Sequence, residues 1–320
     1  MKHVLKRAAQ TMKDVIHFEP FKQKATLYQK ILIHDIYDLI KTIGKLKPKD
    51  LMLFDAIKTQ SIFDFVEATV LQEQLLPKME RMRQRMMKYD ESKNLFHVCD
   101  RYVKLTSNDP PTPLKMTVLR FKYLHEALMK NIMEPGEGLR FSSRGRYSTY
   151  KGKRHDYPQV SKVQEYDEVL EPIFDQYNKH LDEIMKEKDL KKSLIKSTFL
   201  ASWIFYQITA IHPFPDGNGR TARVLMSRVF PQVFNLPIFM WSQITTLEIE
   251  FVDALIEARE KGGDLTRLNN LILTSVIFGL RNLLWRLQQV SQMPKSSLRV
   301  AKDDGAQHQW CAAEPSPTRV

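Results

Sequence analysis

The chain has 320 residues, of which 43% are hydrophobic and 27% charged, so it can bury the core of one large domain or of two smaller ones. Its two cysteines, Cys99 and Cys311, exclude a disulfide framework and a cysteine-rich metal site, and they favour a reducing compartment. The formal net charge of +12 would suit an anionic partner. Lysines and arginines nevertheless alternate with glutamates along the chain, as they do on solvated helix faces, so nucleic acid is an unlikely partner.

The cellular location of the protein is predicted from its apolar segments, which resemble neither a secretory signal nor a membrane span. The basic N-terminus has neither the continuous apolar run nor the small-residue cleavage site of a secretory signal. The longest apolar run, residues 199–211, is shorter than the roughly 20 residues that cross a bilayer. We therefore expect no membrane-spanning helix and a cytoplasmic location, with the nucleus as the alternative.

Apolar residues recur at spacings of three and four along most of the chain, which predicts a mostly helical fold. The predicted helical segments are residues 27–43, 51–76, 117–133, 163–184, 194–209 and 251–259. The prolines at 110–113 cannot continue a helix and indicate a linker. We therefore divide the chain into a helical N-terminal region (1–110), a second domain (111–290) and a disordered tail (291–320), because the last segment has few apolar residues.

Residues 136–158 break the helical pattern. They are rich in Gly, Ser, Tyr and Arg and lack the helical period, which predicts a loop or an irregular hairpin.

Residues 212–223 read His-Pro-Phe-Pro-Asp-Gly-Asn-Gly-Arg-Thr-Ala-Arg and lie between two predicted helices. Pro213 and Pro215 end the first helix, and Gly217 and Gly219 permit a tight turn before the second. The exposed amides and the dipole at the start of a helix bind phosphate well. This segment is therefore a candidate phosphate site.

Four side chains in this segment have the chemistry of nucleotide binding and proton transfer. His212 can accept a proton from a hydroxyl near neutral pH, and the Asp216 carboxylate suits Mg²⁺. Arg220 and Arg223, three residues apart, share one side of the second helix, where they could hold neighbouring phosphates. Each residue alone has an ordinary structural explanation, but their combined spacing indicates a nucleotide site beside a base. Phe214, between two prolines, is predicted to pack in the core.

The segment matches the motif His-x-Phe-x-(Asp/Glu)-Gly-Asn-Gly-Arg-x-x-Arg at every fixed position, and in this the chain resembles the Fic (Fido) family. Residues 123–128 and 134–140 are similar to the family's opening helix and to the sequence before its flap. Residues 251–255 and 263–265 are similar to a later helix and its Gly-Asp turn. The resemblance covers roughly residues 115–285.

The resemblance implies an all-α, Fic-type helical bundle with a short β-hairpin flap, preceded here by the helical N-terminal region. It also implies a protein adenylyltransferase that moves AMP from ATP to a Ser, Thr or Tyr hydroxyl of a target protein, releases pyrophosphate, and in some members removes AMP again. His212 would be the base, and Asp216 would hold Mg²⁺ or Mn²⁺. The phosphate ligands implied by the resemblance are Gly217, Asn218 and Gly219 for the α- and β-phosphates, Arg220 for the β-phosphate and Arg223 for the outer phosphates.

The flap of the family pairs with the backbone of the target protein, and residues 140–158 correspond to it. The resemblance therefore implies that four residues dock the target: Arg140, Arg144, Arg146 and Tyr147. The alternative is an ordinary basic surface loop.

Other activities remain as alternatives. A kinase is disfavoured, because Gly219 stands where the Doc-like branch carries a lysine. Nothing in the motif reads the base of the nucleotide, so transfer of UMP or phosphocholine by the same site is the second hypothesis. A basic module that binds nucleic acid or protein without catalysis is the third.

Many family members carry an inhibitory helix of the form (Ser/Thr)-x-x-x-Glu-(Gly/Asn). The best upstream candidate starts at Thr59, but Phe63 stands where the Glu should be, and Asp64 follows. We therefore expect the inhibitory motif to be absent or altered. Residues 59–76 would form the regulatory helix, in which Asp64 or Glu67 is the alternative partner for Arg223. The N-terminal region is expected to give target specificity or a homodimer contact.

Overall fold

A computed structural model describes most of the chain from residue 24 to residue 291. The described residues are 24–46, 57, 59–62, 66, 90–100, 115–134, 136–139, 141–142, 147–150, 153–158, 163–234, 236 and 247–291.

Helices dominate this part of the chain. In chain order they are α1 (Leu27–Leu46), α2 (residues 90–100), α3 (Val118–Leu128), α4 (Glu165–Met185), α5 (Leu190–Ile211), α6 (Asn218–Ser227), α7 (Val229–Phe234), α8 (Leu247–Glu260) and α9 (Thr266–Ser291). A short 3₁₀ turn, Glu137–Leu139, follows α3. The predicted all-α fold is confirmed.

Two strands form an antiparallel hairpin between α3 and α4. Strand β1 (Tyr147–Tyr150) pairs with β2 (Lys153–Asp156) in the register Tyr147 opposite Asp156 and Tyr150 opposite Lys153. We call residues 147–156 the hairpin. It confirms the predicted short β-hairpin within residues 136–158.

Helix α5 is the central helix of the core. Its residues 197–208 are all buried, including Trp203 at 0% exposure, and the helices α1, α4, α6, α7 and α9 pack against it. Burial on every side explains why this helix is apolar all round instead of on one stripe. The Asp189 carboxylate caps its start by accepting the backbone amides of Lys191 and Lys192.

Helix α5 is longer than the apolar run that the sequence showed. The helix begins before the apolar run, so at 22 residues it is long and apolar enough to cross a membrane, and among the described residues it alone is. However, 78% of its most apolar stretch is buried inside the protein, as in a core helix.

The helix α9 was missing from the predicted segments. It is 26 residues long and buries Leu268, Ile272, Val276 and Leu280 at intervals of four, a spacing that would have predicted it. Helix α2 was also missing from the predicted segments, and the helices that were predicted differ by shifts of a few residues at their ends. The expected helix at 51–76 is described only at residues 57, 59–62 and 66, which are helical.

The described parts of the N-terminal region share a core with the second domain. Helix α1 packs against α9 and α5, and its buried Ile33, Ile36 and Ile43 belong to the same apolar cluster as α5. The proposed boundary near residue 110 stays a prediction. Cys99 in α2 is a free, buried cysteine, and burial raises the pKa of its thiol.

Candidate active site

His212 ends α5 in a left-handed conformation, with φ 53° and ψ 56°. Its amide still donates to the carbonyl of Ile208 at 2.9 Å, so the backbone of His212 is held by the last turn of the helix. A residue other than glycine in the left-handed conformation costs about 1–2 kcal/mol, which the surrounding packing must offset. This conformation turns the chain away from the helix axis into residues 212–217, which we call the motif loop.

The side chain of Asn218 closes the motif loop. Its Oδ1 accepts the Phe214 amide at 2.8 Å, and its Nδ2 donates to the Phe214 carbonyl at 2.7 Å. Asn218 is 1% exposed. Its side chain is therefore committed to the loop, and only its backbone amide could contribute to the predicted phosphate site.

Phe214 anchors the loop in the core, as predicted. It is fully buried and stacks on the His125 ring at 3.6 Å between centroids and 3° between planes. His125, from α3, is also fully buried, and its Nε2 lies 2.7 Å from the carbonyl oxygen of Asp216. Because a carbonyl only accepts, Nε2 carries the proton and donates. One histidine thus holds the loop by a ring face and by a hydrogen bond.

Gly217 follows with φ +75°, which a residue with a side chain rarely adopts. A Cβ at this position would lie 2.6 Å from Met129 Sδ and 2.9 Å from His125 Nε2. The Gly217 amide donates to the Oδ1 of Asp216 at 2.6 Å. Glycine is needed here because the loop lies directly on α3. The Gly217 amide is bonded to the Asp216 side chain, so it would have to leave that carboxylate to bind a phosphate as predicted.

The Asp216 side chain is 67% exposed, whereas its ion-pair partner Arg220 is 8% exposed. Arg220 Nη2 lies 3.2 Å from Asp216 Oδ2, and its Nη1 lies 2.9 Å from Oε1 of Glu91, a residue of α2 that is 11% exposed. Arg220 therefore points into the protein between two carboxylates. Its predicted contact with a β-phosphate would require the guanidinium to leave at least one of them.

Arg223 is half-buried one turn further along α6. A Cβ on Gly219 would lie 3.3 Å from its Nη1, so the guanidinium of Arg223 lies over Gly219 at the start of the helix. The absence of a side chain at Gly219 thus leaves space for Arg223. This arrangement keeps a guanidinium beside the first amides of α6, where phosphate binding was predicted.

The chain on either side of the hairpin contacts the motif loop. The Ser142 amide donates to the Pro213 carbonyl at 2.8 Å, and the Tyr157 ring, just after β2, stacks on the His212 ring at 3.8 Å and 10°. Arg259 of α8 donates from Nη2 to the Asp156 carbonyl at 2.9 Å. Burial raises the pKa of the nearby Tyr206, and the charge of Arg259 partly opposes this rise.

The structure describes only some of the predicted docking and regulatory residues. Tyr147 in β1 is 59% exposed, with Arg154 over its ring at 4.1 Å, so it is accessible to a target. Arg140, Arg144 and Arg146 lie outside the described residues. Thr59 lies in a described helical stretch, whereas Phe63, Asp64 and Glu67 lie outside the described residues. The altered inhibitory motif therefore stays a prediction.

Three residues of the site were missing from the sequence prediction. They are Glu91, His125 and Tyr157. His125 had a signal, because it lies in the segment that resembles the family's opening helix. Tyr157 likewise lies in residues 140–158, which correspond to the family's flap. Glu91 had no signal, since it reaches the motif only through the tertiary fold.

Comparisons with known proteins bear on this site. Residues 115–230 match the Fic/DOC family model, and this range includes α3, the hairpin and the whole 212–223 motif. In these residues the chain is similar to Fic/DOC proteins. Helices α1 and α9 lie outside the matched range but pack against α5, and α8 packs against α9.

Two curated proteins resemble parts of the chain. A Fido domain-containing protein of Dictyostelium discoideum is 36% identical over 80 residues, which are 24% of this chain and 53% of that protein. The ribonucleoside-diphosphate reductase small chain of Ostreid herpesvirus 1 is 27% identical over 136 residues, 41% of this chain and 22% of that protein. The chain thus matches about half of one relative and about a fifth of the other.

Solved structures share the fold over most of the chain. A Fic family protein from Desulfovibrio desulfuricans G20 has a TM-score of 0.59 at 17% identity, covering 91% of this chain and 82% of that one. IbpAFic2 covalently tethered to Cdc42 has a TM-score of 0.50 at 15% identity, covering 86% of this chain and 77% of that one. At these identities the likeness shows the fold.

Proposed function

We propose that this chain is a protein adenylyltransferase, which transfers AMP from ATP to a hydroxyl side chain of a target protein. The observation that carries the proposal is the position of His212. Its half-buried imidazole lies where α5 ends and the motif loop begins, and it stacks on Tyr157 just after β2. A base, a predicted phosphate site and a strand edge for a target thus meet at one place.

In the proposed reaction, the hydroxyl oxygen of a target Ser, Thr or Tyr attacks the α-phosphorus of ATP. A new oxygen–phosphorus bond forms, and the bond from the α-phosphorus to the oxygen that bridges to the β-phosphorus breaks. Pyrophosphate leaves, and His212 accepts the hydroxyl proton. An imidazole suits this step because its ordinary pKa lies near neutral pH.

The start of α6 supplies the proposed phosphate contacts. The first amides of a helix have no carbonyl one turn earlier to bond, and the helix dipole favours an anion there. Arg223 adds a guanidinium above Gly219. We assign the outer phosphates of ATP to Arg223, because Arg220 is occupied by Glu91 and Asp216.

The exposed Asp216 carboxylate fits a magnesium or manganese ion. Mg²⁺ in nucleotide sites is held by one or two carboxylates together with phosphate oxygens, and Asp216 is a single exposed carboxylate beside the start of α6. When bound, such an ion would neutralise phosphate charge. Its binding would compete with the 3.2 Å contact from Arg220.

The proposed target binds along the hairpin. A two-stranded sheet leaves edge amides and carbonyls that an extended peptide can pair with. The exposed Tyr147 offers an aromatic contact on β1. A protein as substrate is supported by IbpAFic2, which is known tethered to Cdc42.

The test is transfer of label from α-labelled ATP with Mg²⁺, to the protein itself and to proteins of a cell lysate. We expect labelled protein with the wild type and loss of at least 10²-fold in the His212→Ala variant, the usual size of a general-base contribution. A matched control is His34→Ala, which removes an exposed histidine of α1. Equal labelling by His212→Ala and wild type would exclude this site as the source of activity.

Parallel reactions distinguish the alternatives. Label from γ-labelled ATP without label from α-labelled ATP would indicate a kinase. Labelled UTP or CDP-choline tests the transfer of UMP or phosphocholine. Incorporation only from one of these donors would mean that the site transfers that group instead of AMP, with His212 still as the general base.

A further inference from the structure

Tyr157 lies immediately after β2, and its ring is nearly parallel to the imidazole of His212, with 3.8 Å between the centroids and 10° between the planes. We propose that Tyr157 is a positioning residue, which holds the imidazole of His212 in its working orientation and links the base to the hairpin. This inference rests on the proposed function, in which His212 accepts the target proton.

The stack restricts the rotation of the His212 side chain. The left-handed backbone is fixed by the Ile208 hydrogen bond and by the following Pro213, so the remaining freedom is rotation of the side chain. A parallel ring against one face of the imidazole restricts this rotation. The two ring nitrogens lie in the plane of the imidazole, so the Tyr157 ring, which contacts a face, does not itself block either nitrogen.

Tyr157 is itself held by its neighbours. The carbonyl of Asp156 accepts a hydrogen bond from Arg259 of α8, at 2.9 Å. The buried Pro158 follows and confines the backbone of Tyr157 to extended conformations. The ring therefore stacks on His212 from a segment that is fixed on both sides.

The same segment continues into the hairpin. On its other side the chain before β1 is attached to the motif loop by the 2.8 Å hydrogen bond from Ser142 to Pro213. The proposed docking surface and the base are thus connected through residues 142, 156 and 157. A target bound to the hairpin meets an imidazole that the hairpin itself holds in place.

Kinetics of two substitutions in the full chain test this role. Tyr157→Phe keeps a flat ring, whereas Tyr157→Leu removes the ring but retains an apolar side chain. We expect Tyr157→Leu to lower kcat for auto-AMPylation about tenfold or more with KM for ATP unchanged, since small misplacements of reacting groups are costly. Tyr157→Phe should stay within about twofold of the wild type, because the stack and not the hydroxyl positions the base.

The matched control is Tyr28→Leu, which makes the same change at an exposed tyrosine of α1 and should leave kcat unchanged. An equal loss in Tyr157→Phe and Tyr157→Leu would overturn the inference, because it would assign the effect to the hydroxyl. Wild-type kcat in Tyr157→Leu would also overturn it.

An NMR measurement tests the stack independently of activity. The chain has nine histidines, and the ring signals of His212 in ¹³C-histidine-labelled protein are identified by their loss in His212→Ala. A ring stacked face-on shifts those protons upfield in the wild type and in Tyr157→Phe, and the shift should disappear in Tyr157→Leu. No such difference would overturn the inference. If no donor gives transfer, the proposed function fails, and the NMR shift alone decides whether Tyr157 holds His212.

Discussion

Glu91 and Arg220 form an ion pair of 2.9 Å between α2 and α6, with side chains 11% and 8% exposed. The two residues are 129 positions apart, so the pair joins the N-terminal region to the centre of the 212–223 motif. Asn94, one turn further along α2, donates to the carbonyls of Leu128 and Lys130 at the end of α3. Helix α2 therefore supports both elements that hold the motif loop.

Removal of Glu91 should destabilise the fold. Breaking a buried pair leaves a charge without its partner, which costs about 3–5 kcal/mol for a fully buried pair. Asp216 still contacts Arg220 in Glu91→Ala, so we expect the lower end of that range, about 3 kcal/mol, in urea unfolding. Glu91→Gln should cost less, because an amide oxygen can still accept from Nη1.

The matched control is Glu171→Ala, which removes an exposed glutamate of α4 and should change stability little. In the double variant Glu91→Leu with Arg220→Met, the loss should be smaller than the sum of the two single losses, because neither charge is left behind. Additive losses would mean that the pair contributes no coupling energy.

His125→Phe isolates the hydrogen bond to the motif loop from the aromatic stack. Phenylalanine can still stack on Phe214, but the carbonyl of Asp216 loses its donor. We expect a stability loss of about 1 kcal/mol and weaker binding of Mg²⁺-ATP, because Asp216 is no longer fixed by its own backbone. Thermal unfolding and isothermal titration calorimetry measure the two effects. His97→Phe, at an exposed histidine of α2, is the control, and equal ATP affinity in both variants would contradict this role for His125.

Gly217→Ala should be the most disruptive glycine substitution of the site. The left-handed backbone costs about 1–2 kcal/mol, and the 2.6 Å approach to Met129 Sδ adds overpacking of about 1–3 kcal/mol. Gly136→Ala separates the two causes, because Gly136 has φ +80° but no atom within 4 Å of an added Cβ. Chemical unfolding should therefore show a larger loss of stability for Gly217→Ala. Equal losses would mean that Met129 and His125 shift to make room for the methyl group.

The sequence predicted local structure well where short-range chemistry decides it. Apolar spacing indicated the helices, Pro213 and Pro215 indicated the end of α5, and Gly and Ser richness indicated the hairpin. The motif also identified Phe214 as a packing residue. In contrast, no local pattern shows that Arg220 turns inward to Glu91, because a guanidinium on a helix fits solvent, phosphate or a carboxylate equally well. The same holds for Tyr157, whose contact with His212 exists only once the hairpin packs on the end of α5.

Asp264 gives a pH-dependent prediction for the longest helix. Its Oδ1 accepts the backbone amide of Thr266 at the start of α9, at 2.9 Å. Hydrogen bonds from the Thr266 side chain and backbone lower the pKa of Asp264 in the folded protein. A lowered folded pKa means that this stabilisation is present above the unfolded pKa of about 3.9 and is lost as the pH falls through the folded value.

Asp264→Ala should therefore lower stability by about 1 kcal/mol at pH 7, the usual contribution of a helix cap. The difference from wild type should begin to shrink as the pH falls below about 4, where Asp264 of the unfolded chain becomes protonated, and should vanish below the lowered pKa of the folded protein. Asp264→Asn is the matched control, because an amide oxygen still accepts from Thr266 but does not titrate. Its difference from Asp264→Ala should persist in acid, measured by urea unfolding from pH 7 to pH 3. A gap between wild type and Asp264→Ala that stays constant over this range would show that the carboxylate charge contributes nothing to the start of α9.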